Sequence, residues 1–183
     1  AIDTPLSIDR VGLVGEYLLN EGSGIVIHDS SGTNADATIT GTNIQWVAGP
    51  SSDLVQFLDG SDVTSYINCG NSFTWLTGHN EMSIDCWTSI TSLDPAGNRY
   101  IINKPNQCIL RVNSLGGIVW GLYLNNVWIV KTTGDNVVIQ NSRNHIQAVY
   151  DGYSMNIYVN NELIFSELVS GYLTVDGTAA TYL

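Results

Sequence analysis

Apolar and polar side chains alternate with a period of two along most of this chain, and short clusters of Gly, Asn, Asp and Ser interrupt the alternation. A strand points successive side chains to opposite faces, so this pattern buries one face and wets the other. The interruptions include Glu21-Gly22-Ser23-Gly24, Asp29-Ser30-Ser31-Gly32, Asp59-Gly60-Ser61-Asp62, Ser114-Leu115-Gly116-Gly117, Asp151-Gly152 and Asn160-Asn161. They recur about every eight to twelve residues, the rhythm of a sandwich or barrel. No segment carries a convincing helical period.

Four hairpins are predicted. Ile109 to Val112 turns at Gly116-Gly117 into Ile118 to Leu124, which turns at Asn125-Asn126 into Val127 to Lys131. His145 to Tyr150 turns at Asp151-Gly152 into Met155 to Val159, which turns at Asn160-Asn161 into Leu163 to Leu168. Asn, Asp and Gly tolerate the positive φ that tight hairpin turns demand. The fold class expected is all-β, a two-sheet antiparallel sandwich. Residues 1–11 lack strand pattern and contain Pro5, so they read as an N-terminal arm before a single domain at 12–183.

The alternation also assigns faces. Ile67 and Cys69 share one face, as do Ile84 and Cys86, which turns Asp85 and Trp87 outward. Trp120, Leu122 and Leu124 share a core face, and Tyr123 points away from it. Trp128 and Val130 alternate with Val127 and Ile129, and the pattern does not assign their sides.

The chain has 183 residues, with six Lys plus Arg against seventeen Asp plus Glu, a formal charge of −11. That balance argues against non-specific nucleic-acid binding, which needs a cationic face, and against an anionic membrane surface. No apolar run is long enough to span a bilayer as a helix. Only 13% of residues are charged, so the polar surface is mostly Asn, Ser, Thr and Gly, which suits neutral partners such as sugars. The three cysteines, Cys69, Cys86 and Cys108, fit no zinc spacing and read as buried free thiols. That odd set, together with a small first residue, Ala1, of the kind left when an initiator Met is removed, leads us to expect assembly in a reducing cytosol.

Gly12-Leu13-Val14-Gly15-Glu16-Tyr17-Leu18-Leu19-Asn20-Glu21-Gly22-Ser23-Gly24 resembles the first strand of laminin-G-like jelly rolls of the concanavalin A-like lectin and glucanase superfamily. The segments Asp29 to Gly32, Val55 to Asp62 and Met82 to Trp87 follow in that family's order. Ala148 to Gly152 with Met155 to Leu163 resembles its hallmark hairpin, and the likeness spans roughly residues 12–182. The resemblance implies a final strand that pairs near the first one. Here the chain reaches Ala179-Ala180-Thr181-Tyr182-Leu183 where the preceding strand should be, so Leu13 to Leu19 is expected to leave an edge for another polypeptide to cover.

The resemblance also frames the chemistry. Superfamily enzymes that cut β-glucans carry an E-x-D-x-x-E strand of paired carboxylates. Glu81 and Asp85 are the nearest approach, but Ser83 and Thr88 hold no carboxylate, so no catalysis is expected. Jelly rolls of this type often hold a structural Ca²⁺ through loop oxygens. The candidate ligands are Asp29, Asn34 and Asp36 in one loop and Asp59 and Asp62 in another. Glycan binding needs flat aromatic faces and planar polar groups, and a cleft of Asp85, Trp87 and Tyr123 is the expected version. The functional expectation is a non-catalytic structural and adhesion module on the surface of a tailed bacteriophage virion, homo-oligomeric or seated against lattice neighbours. The alternative is a secreted bacterial carbohydrate-binding module or adhesin domain.

Overall fold

The computed structural model describes residues 12–49, 53–58, 64–71, 78–93, 99–174 and 180–183. The expected arm at 1–11 and the Asp59–Asp62 loop lie outside the described residues. The strands are β1 (Val26–Ile27), β2 (Ala37–Thr40), β3 (Ile44–Ala48), β4 (Asp53–Phe57), β5 (Tyr66–Asn68), β6 (Met82–Ser89), β7 (Arg99–Lys104), β8 (Cys108–Val112), β9 (Ile118–Leu124), β10 (Val127–Thr132), β11 (Arg143–Tyr150), β12 (Ser154–Val159) and β13 (Glu162–Leu168). The described residues contain no helix, and every strand pair is antiparallel.

One layer of the sandwich runs in the order β13-β12-β11-β6. The other contains β10-β9-β8-β7 and β1-β2-β5, and the end of the chain joins these two groups. Tyr182 bridges Asn68 on β5 and Asn103 on β7. Its N–H donates to the Asn103 carbonyl at 2.9 Å and its carbonyl accepts from the Asn103 N–H at 2.8 Å. On the other side Ile67 and Cys69 donate to the Leu183 and Thr181 carbonyls, both at 2.9 Å. A small β3–β4 hairpin stands beside these layers, with Trp46 and Val55 against the core.

The expected hairpins form. Asn125 and Asn126 have φ of 50° and 66°, and Asn160 and Asn161 have 52° and 67°, the paired left-handed conformation whose twist suits a two-residue hairpin. At the β11–β12 turn the Asp151 carboxylate accepts the N–H groups of Tyr153 and Ser154 at 2.9 and 2.7 Å. Inner faces then meet as the alternation requires. Ile118, Trp120 and Leu122 on β9 oppose Ile146, Ala148 and Tyr150 on β11 and Met155 and Ile157 on β12, all essentially buried. Each large side chain so buried stabilises the fold by about 1.5–3 kcal/mol. Lys131 pairs with Glu167 and ties β10 to β13, the edge strands of the two layers.

The sequence expectation fails at the first strand. Leu13 to Leu19 is not a continuous strand, and among the described residues its β-pairing is the single bridge Tyr17–Asp29. Leu19 takes a φ of 54°, which ends the extended conformation. Val14, Tyr17 and Leu19 contribute by packing on the core instead. The last residues occupy an interior position between β5 and β7, and the edge strands of the smaller layer are β6 and β13.

None of the three cysteines is in a disulfide among the described residues. Cys69 and Cys108 are buried and Cys86 is half-buried. Burial pushes the Cys69 thiol up to about 11 and the Cys86 and Cys108 thiols up to about 12. Thiolate is the reactive form. A disulfide-exchange reagent at pH 7 is therefore expected to react slowly with the native protein and to count three thiols after unreduced denaturation. The interior position of Tyr182 gives a second expectation. Tyr182→Pro removes a donor from the middle of a sheet and leaves the Asn103 carbonyl without it, a change of about 1–3 kcal/mol. Thermal unfolding followed by circular dichroism should show a midpoint lower by roughly 2–12 °C.

Candidate functional site

The outer face of the smaller layer carries a row of polar and aromatic side chains. Alternation turns Ser83, Asp85, Trp87 and Ser89 outward on β6. The register with β11 sets Trp87 against His145, Asp85 against Gln147 and Ser89 against Arg143. The imidazole of His145 lies flat against the Trp87 indole, with centroids 4.5 Å apart and planes 14° from parallel. His145 Nε2 sits 2.9 Å from Asp85 Oδ1, and Gln147 Nε2 donates to Asp85 Oδ2 at 2.8 Å. The Arg143 guanidinium stands over the Trp87 ring with Cζ 4.5 Å from its centroid, within cation–π range.

Every member of this row fixes another. Asp85 holds His145 and Gln147 in place, His145 orients the indole, and the indole carries Arg143. Trp87 nevertheless stays 57% exposed. The face continues across β12, where Tyr158 pairs with Gln147, and Asn156 exchanges hydrogen bonds with Ser154 and Ser166 at 2.7 Å. Side chains anchored on strands and locked by mutual contacts present a ligand with preordered donors and acceptors at little entropic cost. The arrangement offers one apolar aromatic edge among planar polar groups, which is what a sugar's C–H and hydroxyl surfaces match.

Tyr123 is elsewhere, so the expected cleft of Asp85, Trp87 and Tyr123 does not form. Asp85 and Trp87 come together, but Tyr123 faces outward from β9 in the opposite layer. There it lies 5.6 Å from Trp128, its register partner, at an interplanar angle of 55°. Gly121 makes room for this pair: a Cβ there would stand 2.8 Å from Ile109 and 3.3 Å from the Trp128 ring. Arg143, His145 and Gln147 were missed from sequence. Their alternation with Asn144 and Ile146 marks a polar strand face, but only the pairing of β11 with β6 delivers that face to Trp87.

The Asp29 loop has a different character. Asp29 Oδ1 accepts the N–H groups of Glu16 and Ser31 at 3.0 and 2.9 Å. Oδ2 accepts the hydroxyls of Ser31 and Thr33 at 2.8 and 2.7 Å and the Ala35 N–H at 3.1 Å. Asp36 accepts the Asp29 N–H at 2.9 Å and meets His28 at 3.1 Å. Asn34 is an exposed residue with φ of 57° that turns the loop. These donors tie the carboxylate to its own loop and to the opening segment, the turn-capping use of an Asp. Among the described residues no group of three or more His, Cys, Asp or Glu side chains converges to hold a metal ion.

Burial pushes the Asp29 carboxyl up, but the hydrogen bonds from Glu16, Ser31 and Thr33 outweigh it and hold it well below the usual carboxylate range. A folded pKa below the unfolded one stabilises the fold above the unfolded value and loses that effect as pH falls. Asp29→Ala leaves Glu16 and Ala35 N–H groups without their acceptor and is expected to cost about 1–3 kcal/mol. Urea unfolding should show this gap at pH 7, and the gap should shrink as pH drops below about 4.

A family model described as Laminin_G_3, concanavalin A-like lectin/glucanases superfamily, matches residues 59–183. Among solved structures, the binding domain of Paraclostridial Mosquitocidal Protein 1 superposes with a TM-score of 0.69 at 17% identity, covering 92% of this chain and 42% of that one. A botulinum neurotoxin type C structure, of a toxin whose passage into cells depends on interaction with two ganglioside molecules, gives 0.67 at 16% identity, covering 96% and 43%. Domain 4 of AbnA, an extracellular GH43 arabinanase from Geobacillus stearothermophilus in complex with arabinotriose, gives 0.60 at 18% identity, covering 85% and 76%. The chain spans under half the length of the two toxin chains. No curated protein matches.

Proposed function

Because this chain belongs to the concanavalin A-like lectin/glucanase superfamily, we propose that it is a non-catalytic binding domain that takes glycans on the outer face of its smaller layer. The observation that carries this reading is the exposed Trp87 indole, held in place by His145, Asp85 and Gln147. The indole supplies the C–H contact, and the polar neighbours supply hydrogen bonds to hydroxyls. Rigid aromatics give large contact area at low entropic cost.

Two relatives of the same fold support the reading. The arabinanase domain was solved with an oligosaccharide, and the neurotoxin depends on gangliosides. The non-catalytic part of the proposal rests on Asp85 being the single carboxylate in the row of Ser83, Asp85, Trp87, Ser89, Arg143, His145 and Gln147. Glycoside cleavage by paired carboxyls asks two of them to flank one bond. The same face would serve on a phage particle or on a secreted bacterial protein, the two settings expected from sequence.

Trp87→Ala tests the site. The side chain is exposed, so thermal stability is expected to change little, while glycan affinity measured by isothermal titration should fall at least about tenfold, equivalent to 1.4 kcal/mol. Full affinity in the variant would place binding elsewhere and defeat the proposal.

A further inference from the structure

We infer that the Trp87 face prefers glycans that carry a carboxylate, and that Arg143 is the group that reads it. This rests on the glycan-binding reading above and names the ligand class of that same site. The starting point is charge. The chain holds six Lys plus Arg among seventeen Asp plus Glu, so acidic partners are available to any cation that packing would pair. Lys131 has taken one, Glu167, and Lys104 is buried. Arg143 is exposed, rests on the Trp87 ring and has no carboxylate partner among the described residues.

The acid of the row does not neutralise it. Arg143 aligns with Ser89, and Asp85 aligns with Gln147 at the other end. Four strand positions separate those ends, about 13 Å along the backbone, and no ion pair joins the two side chains. Asp85 is also already engaged by His145 and Gln147. Among the described residues no hydrogen bond takes up the Arg143 guanidinium over the indole, so its N–H groups remain for a ligand. That planar fork fits a carboxylate with two parallel hydrogen bonds. A chain of formal charge −11 repels anions at long range, so an acidic sugar needs such a local cation to bind at all. The stack therefore matches a sugar ring edge at Trp87 with a carboxylate substituent reaching Arg143.

The test compares acidic sugars with neutral counterparts by isothermal titration of the whole chain. The pairs are 3′-sialyllactose against lactose, and trigalacturonate against its methyl ester. The inference expects the acidic member of at least one pair to bind at least tenfold tighter. Arg143→Gln should collapse that ratio towards one, and Arg143→Lys should restore part of it. Because each ratio is taken within one variant, a general loosening of Trp87 leaves it unmoved. Equal affinity for both members of both pairs, or a ratio that survives Arg143→Gln, would overturn the inference while leaving glycan binding in place. Binding of none of the four sugars would overturn the inference, and a broad glycan array on which the unaltered chain is silent would overturn the glycan-binding reading as well.

Discussion

The antiparallel pairing of β6 with β11 is the constraint on which both core and site depend. It runs without a bulge from Met82–Tyr150 to Ser89–Arg143. On its inner side it sets Ile84 and Cys86 beside Ile146 and Ala148 in the core. On its outer side the same register assembles Trp87, His145, Asp85 and Gln147. A slip of one residue would send every side chain of one strand to the wrong face. Burial of Ile146 and Ala148, both fully inaccessible, therefore specifies the geometry of the surface row as firmly as that of the interior. The site is rigid because its strands are the same ones that hold the sandwich together.

The larger layer depends on a contact of another kind. Its two groups of strands are joined by a few residues at the end of the chain, with Tyr182 bonded to Asn103 on one side and Ile67 and Cys69 bonded to Leu183 and Thr181 on the other. Tyr182 also meets Tyr66 edge to face, with centroids 4.9 Å apart. Hydrogen bonds in a sheet interior are shielded from water, and leaving their donors unpaired carries the full desolvation cost. This short segment therefore does work out of proportion to its length. It also explains why the chain's opening segment needs no long strand pairing: Val14, Tyr17 and Leu19 act as packing groups, and Asp29 ties them down through the Glu16 N–H.

Charge is used sparingly, and its placement is informative. Asp29 and Asp151 serve the fold, since their oxygens collect backbone donors that a turn would otherwise leave unsatisfied. Asp85 serves the surface row by orienting His145 and Gln147. Arg143 serves neither, and among the described residues its exposed guanidinium on Trp87 has no carboxylate partner.

The primary structure by itself determined what local chemistry can determine. Alternation settled that strands form and which side of each strand is wet, so Trp120 is buried while Trp87 and Tyr123 face outward. Asn125-Asn126 and Asn160-Asn161 settled two hairpins, because φ preference is a property of the residue. The family resemblance was legible from ordered motifs over roughly residues 12–182, and the family model matches residues 59–183. Only the tertiary structure decided which outer face each strand contributes to. Trp87 and Tyr123 look equivalent along the sequence yet stand on opposite layers, and Asp85 meets His145 across 60 residues. Alternation has a sign but no address: it separates inside from outside, and only long-range pairing, driven by burial of both inner faces together, says which strands are neighbours.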